Sequence, residues 1–112
     1  MFNFFNKDYK EISPRELSVR MKDRKLKLID CRESDELIIC KIKEFTHIPM
    51  QEIPNRMNEY NKEDDLYIFC HSGNRSATVC KYLHQNGFES VYNIVGGILA
   101  WSDEVDSSIQ KY

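Results

Sequence analysis

The chain is short of the features that mark several functional classes. No stretch approaches the ~20 consecutive apolar residues that a membrane-spanning helix needs. Charge of one sign is missing too: 16 Lys and Arg face 18 Asp and Glu, a formal net charge of −2. The clustered basic excess of a nucleic-acid binder is therefore absent. The basic run Arg20, Lys22, Arg24, Lys25 and Lys27 is broken by Asp23 and by apolar positions, and it reads as a solvated helix end and turn. The opening MFNFFNKDYKE has neither a positively charged start nor a long apolar core, so it does not read as a secretory signal. Its Phe2, Phe4 and Phe5 read as an arm packed on the domain. No C-x-x-C pair occurs among Cys31, Cys40, Cys70 and Cys80, and their spacing does not suit zinc. No metal or organic cofactor is expected. Without an export signal the expected setting is the cytoplasm, with the cysteines as thiols. Repeats, low-complexity tracts and Gly/Pro/Ser linkers are also lacking.

What remains is an ordinary globular composition, 41% hydrophobic and 30% charged over 112 residues, which fits one domain. Short apolar runs read as buried strands: KLKLID (25–30), THIP (46–49), DLYIFC (65–70) and SVYNIV (90–95). Helical spacing lies between them. In EISPREL, Ser13 is placed as an N-cap, Pro14 as the first helical residue and Glu16 as the third, a capping box. Ile12 and Leu17 have the offset of a hydrophobic staple, and Leu17 and Met21 mark the buried face of a helix ending near Arg24. A second helix is expected from 34 to about 41, with Leu37 and Ile38 inward. A third is expected over 50 to 60, or from Pro54 onward. A fourth starts at about Arg75 with Ser76, Val79, Cys80 and Leu83 buried, and stops at Gly87. GGILAWSDEV (96–105) reads as a turn and a closing helix. Strands alternating with helices argue for an α/β fold, a parallel sheet with helices on both faces. Ligands of such sheets bind beyond the carboxyl ends of the strands.

Cys70 stands at one of those ends, in FCHSGNRSATVCKYL. A cysteine attacks as its thiolate, which a helix N-terminus and a nearby cation both favour. The loop offers both. It runs straight into the fourth helix, whose first N–H groups lack helical partners. Gly73 permits a tight ring of amides, Arg75 adds a fixed positive charge, and Ser72 and Ser76 add hydroxyls. Residues His71, Ser72, Gly73, Asn74, Arg75 and Ser76 thus read as an anion-binding cradle with a sulfur at its base. His71 follows Cys70 directly, so the two side chains point apart; His71 is placed at the mouth rather than as a partner base. Asp30 and Arg32, at the end of a neighbouring strand, read as a structural ion pair near the rim. Cys31, Cys80, Phe88 and Trp101 read as core.

These motifs, in order, resemble the rhodanese-like domain family. The resemblance rests on Cys-x-x-Gly-x-Arg (Cys70, Gly73, Arg75), Ser76, Gly87 and Phe88, Gly96 and Gly97, Trp101, and upstream LIDCRESDE with Asp30, Arg32 and Glu33. It spans about residues 11 to 103. It implies a single domain over 11–106 with a five-stranded parallel sheet, an N-terminal arm at 1–10 and a tail at 107–112. One segment departs: in CKIKEFTHIP, Cys40 and Lys41 stand where Gly and His are common, and Glu44 and Phe45 replace a small pair. His71 also stands where thiosulfate-using members often have Arg.

The resemblance implies a sulfurtransferase of the thiosulfate type. Cys70 would take a sulfane sulfur from a small anionic donor such as thiosulfate, hold it as a persulfide, and pass it to a thiol or cyanide acceptor. Arg75 would orient the anion or lock the loop through backbone carbonyls, the second being favoured. The alternative is a sulfur carrier or binding module that delivers sulfur to a specific protein partner. A cysteine phosphatase is disfavoured, because its loop has five residues between Cys and Arg and this one has four. A dithiol redox protein lacks its second cysteine. Neither nucleic acid nor membrane is expected as a partner, and charged faces suggest a monomer.

Overall fold

The computed structural model describes residues 9–112. The arm reading for Phe2, Phe4 and Phe5 lies outside the described residues.

Five strands form one parallel sheet: β1 (Lys10–Ile12), β2 (Lys27–Asp30), β3 (Thr46–His47), β4 (Asp65–Phe69) and β5 (Ser90–Ile94). Their spatial order is β1-β5-β4-β2-β3. Five helices accompany them: α1 (Pro14–Asp23), α2 (Ser34–Ile39), α3 (Ile53–Arg56), α4 (Asn74–Gln85) and α5 (Gly97–Glu104). The expected α/β fold, with helices on both faces, is what forms.

The central strand shows why. Leu66, Tyr67, Ile68 and Phe69 of β4 are all at most 1% exposed, the continuous apolar run of a parallel strand covered on both sides. Side chains alternate across a strand, so the run divides. Leu66, Ile68 and Cys70 join one core cluster with Ile29, Cys31 and Val91, under Val79, Cys80 and Leu83 of α4. Tyr67 and Phe69 join the other with Leu28 and Ile94, under Leu17 of α1 and Ile98 and Trp101 of α5. Each such aliphatic side chain contributes about 1.5–3 kcal/mol by leaving water.

The helices follow their signals with physical exceptions. Ser13 Oγ accepts from the Glu16 N–H at 3.1 Å, as an N-cap should. The reciprocal bond of a capping box is replaced, because the Glu16 carboxylate pairs with Arg20 at 3.3 Å instead. Ile12 and Leu17 are both buried in one cluster, whereas Met21 is only partly buried. The segment around Pro54 is not one helix. A 3-10 turn (Met50–Glu52), α3 and a second 3-10 turn (Met57–Glu59) follow in series, since Pro54 cannot supply an N–H to a continuous ladder. β3 is shorter than expected, pairing only Thr46 with Ile29 and His47 with Asp30.

The reading of α2 needs correction. Leu37 is half-buried, but Ile38 is 86% exposed. None of the six residues of α2 is buried. The helix is held at its acidic start and by its last carbonyl, through ionic hydrogen bonds, and not by an apolar face. In the segment after it, Phe45 packs on Phe69, with centroids 4.8 Å apart, and edge-on against Trp101 at 5.9 Å.

Candidate active site

β4 ends at Phe69 and delivers Cys70 to the carboxyl edge of the sheet, between β2 and β5. The loop 71–73 then turns into α4. Gly73 is the N-cap of that helix at φ 102°, a left-handed conformation that a Cβ disfavours. The turn brings the Gly73 N–H to 3.1 Å from Cys70 Sγ and the Ser76 N–H to 3.4 Å. Ser76 Oγ lies 3.2 Å from the same sulfur. Cys70 itself is only 1% exposed.

A further polar group supports the serine. Asn93, buried on β5, accepts from Ser76 Oγ at 2.5 Å and donates through Nδ2 to the Gly73 carbonyl at 3.2 Å. The second bond fixes which end of the amide faces Ser76. The Ser76 hydroxyl has one proton. While Asn93 holds it, Ser76 Oγ presents a lone pair to a protonated Cys70; when the sulfur is a thiolate, the hydroxyl can turn to it.

The loop is pinned from both sides. α5 starts against it: the Ile98 N–H reaches the Cys70 carbonyl at 2.9 Å and the Leu99 N–H reaches that of His71 at 3.3 Å. A Cβ on Gly97 would stand 2.3 Å from the Cys70 carbonyl oxygen, so only glycine admits this approach. On the other side, Arg75 makes two bonds to Glu36, at 2.6 and 2.7 Å. The Arg75 guanidinium, opposed by burial and helped by the Glu33 N–H and the Tyr112 hydroxyl, holds the Glu36 carboxyl down at about 2. Arg75 therefore locks the loop, but through a carboxylate from α2 rather than through the backbone carbonyls expected. Its charge is already matched.

The remaining sequence candidates are placed as follows. Ser72 and Asn74 are exposed, and the sulfur's recorded partners come from Gly73 and Ser76. His71 is half-buried, with Nε2 2.6 Å from the Tyr112 carbonyl oxygen. Asp30 and Arg32 form a buried pair at 2.9 Å, with side chains 3% and 0% exposed. Arg32 also donates to the Cys40 carbonyl at 2.9 Å and to the Tyr112 hydroxyl at 2.9 Å. Burial pushes the Cys31 and Cys80 thiols up, and nearby Cys70 adds to it. Neither is poised to attack, and all four cysteines are free. Among the described residues no group of three His, Cys, Asp or Glu side chains could hold a metal ion.

Sequence reasoning missed Glu36, Asn93, His47 and Tyr112. Asn93 left a signal, a lone amide inside the apolar run SVYNIV. His47 donates from Nε2 to the Arg32 carbonyl at 2.6 Å, and nothing local foretells it.

The comparisons with known proteins bear on the chain as a whole. The rhodanese-like domain model matches residues 13–104. The candidate sulfurtransferase YtwF of Bacillus subtilis is 41% identical over 98 residues, covering 87% of this chain and 94% of its own. A sulfurtransferase of Allochromatium vinosum is 41% identical over 93 residues, covering 82% and 87%. The crystal structure of a rhodanese-like domain protein from Staphylococcus aureus superposes with a TM-score of 0.78 at 34% identity, covering 92% of this chain and 98% of that one. With a family model and relatives matching along nearly its whole length, the chain belongs to the rhodanese-like domain family.

Proposed function

We propose that the chain is a sulfurtransferase that carries a sulfane sulfur on Cys70. The observation that carries this reading is the sulfur's surroundings: two helix-start N–H groups and a hydroxyl converge on one thiol. Such donors stabilise negative charge on sulfur, first as thiolate and then as persulfide, the two N–H groups being already in place. In the first step the Cys70 thiolate attacks the outer sulfur of thiosulfate. The new S–S bond forms as the S–S bond of the donor breaks, and sulfite leaves with the electron pair. In the second step cyanide or a thiolate attacks the outer persulfide sulfur, and Cys70 leaves as thiolate again. Ser76 follows the charge, turning its proton toward sulfur when the sulfur is anionic. Arg75 and Glu36 keep the loop in shape and leave the donor to be bound by amides. Relatives named as sulfurtransferases support the reading.

Thiocyanate release from thiosulfate and cyanide tests it. The wild type is expected to turn over and Cys70→Ser is expected to give none. Equal, background-level release from both sinks the reading.

A second reading, delivery to a protein acceptor, has an observation of its own. Ile38 and Ile39 stand 86% and 42% exposed on α2, next to the Glu36 that grips Arg75. A persulfide that cyanide fails to discharge, but a protein thiol discharges, selects this reading over the first.

A further inference from the structure

The register of the sheet sets a second thiol beside Cys70. β2 and β4 pair in parallel, with Ile29 opposite Ile68 and Asp30 opposite Phe69. The Cys31 N–H carries the ladder one step further, to the Phe69 carbonyl at 2.9 Å, with the slant of a parallel pair. Cys31 therefore stands opposite Cys70, although the two are far apart in the sequence. Paired residues of a parallel ladder point to the same face, and both cysteines belong to the core cluster beneath α4. Neighbouring strands lie about 4.8 Å apart, inside the ~4.4–6.8 Å between Cα atoms that a disulfide spans. Both thiols are free, and Cys31 is fully buried.

The Cys31 sulfur has no part in the cradle, whose donors to Cys70 come from Gly73 and Ser76. Cys80 shares the cluster but belongs to α4, so no ladder sets its backbone against that of Cys70. Burial holds the Cys31 thiol well above its ordinary value, and the neighbouring Cys70 pushes it further. Cys31 thus keeps its proton and stays silent while Cys70 is a thiolate. A persulfide changes the partner: Cys70 Sγ is then bonded to a sulfur that can leave.

We infer that Cys31 is a resolving thiol for the Cys70 persulfide, which releases the outer sulfur as hydrosulfide and closes a Cys31–Cys70 disulfide when no acceptor takes that sulfur. The inference rests on the sulfurtransferase reading above. The Cys31 sulfur attacks Cys70 Sγ, and the new S–S bond forms as the bond to the outer sulfur breaks. The outer sulfur leaves with the electron pair and with the Cys31 proton, as HS⁻. Cys31 is oxidised and the outer sulfur is reduced, so no outside oxidant enters. A small thiol then reopens the disulfide by exchange and restores both cysteines. Because Cys31 starts protonated, this step is slow beside transfer to an acceptor. It runs on the minutes-to-hours scale of uncatalysed disulfide rearrangement, so the persulfide forms first and drains afterwards.

A time course of intact mass reads this step. Wild type, Cys31→Ala, Cys31→Ser and Cys80→Ala would each be loaded with thiosulfate, desalted, and followed without reductant or acceptor, with hydrosulfide assayed in parallel. Melting temperature checks each fold, and either Cys31 variant suffices if it melts as wild type does. Wild type and Cys80→Ala are expected to lose the gained sulfur as hydrosulfide. They should end about two hydrogens lighter than the reduced protein, with Cys31 and Cys70 peptides joined in an unreduced digest. The Cys31 variants are expected to hold the persulfide about tenfold longer, since the partner already in place is gone. A persulfide that lasts as long in wild type as in the Cys31 variants, or a bond from Cys70 to Cys80, overturns the inference and leaves the sulfur-transfer reading standing. No sulfur gain in any of the four proteins sinks that reading, and this inference with it.

Discussion

Asn93 is the buried amide on which the sulfur's surroundings depend. It joins the two loop residues that face Cys70, taking the Ser76 hydroxyl proton and giving a bond to the Gly73 carbonyl. Asn93→Leu removes both, leaving the Gly73 carbonyl with the Ala77 N–H and the Ser76 hydroxyl with Cys70 Sγ. The variant is expected to lose about 1–3 kcal/mol in urea denaturation, and persulfide formation should slow about 10–100-fold, the effect of disturbing one preorganised donor. Glu36 sets a pH dependence. Its carboxyl titrates at about 2 in the folded protein, against 4.5 without partners. A lowered folded value gives stability that is complete above about 4.5 and is lost as pH falls toward 2. Glu36→Gln should therefore be less stable than wild type at pH 6, by roughly 1–2 kcal/mol after solvent screening of a partly exposed partner. The gap should narrow by pH 3, as urea midpoints at the two pH values will read. The proposed nucleophile and its loop stood out in the sequence because they are contiguous. Their supports were not, since Asn93, Glu36 and Tyr112 lie 17, 39 and 41 residues from the groups they hold.

Elements explain how that loop keeps its shape. α4 supplies the amides and α5 supplies the back wall, so the loop sits between two helix starts. Gly97 is the point of closest approach. Gly97→Ala would drive a Cβ into the Cys70 and His71 carbonyls, at 2.3 and 2.6 Å, from a backbone at φ 56°. A loss of about 2–4 kcal/mol is expected, from overpacking and backbone strain together, and thermal melting measures it. A stability equal to wild type would mean that α5 does not press on the loop. α1 and α4 could be read from caps and apolar spacing, which are local. α2 could not: Leu37 and Ile38 suggested an inward face, yet Ile38 is 86% exposed. Ionic hydrogen bonds position this helix, Glu36 at one end and the Cys40 carbonyl at the other, and such partners have no period in the sequence.

Over the whole molecule, the sheet divides the core into two halves, and three of the four thiols share one of them. Cys31, Cys70 and Cys80 all belong to the cluster beneath α4. Only Cys70 has donors converging on its sulfur, while burial pushes the other two up and keeps them protonated. Native protein treated with excess iodoacetamide is expected to leave Cys31 and Cys80 unlabelled, and both should react once denatured. Labelling of either in the native state would show that this half of the core opens readily. The sheet itself was legible because β4 is buried without a break from Leu66 to Phe69, the pattern of a strand covered on both faces. The reach of the tail back to the mouth was not, because it depends on closure of the entire fold.

The central claim is that Cys70 carries sulfur, and intact mass after mixing the reduced protein with thiosulfate tests it most directly, beside Cys70→Ser. The account predicts a gain of about one sulfur atom in the wild type and none in the variant, reversed by cyanide. No gain in the wild type, or the same gain in both proteins, would contradict it.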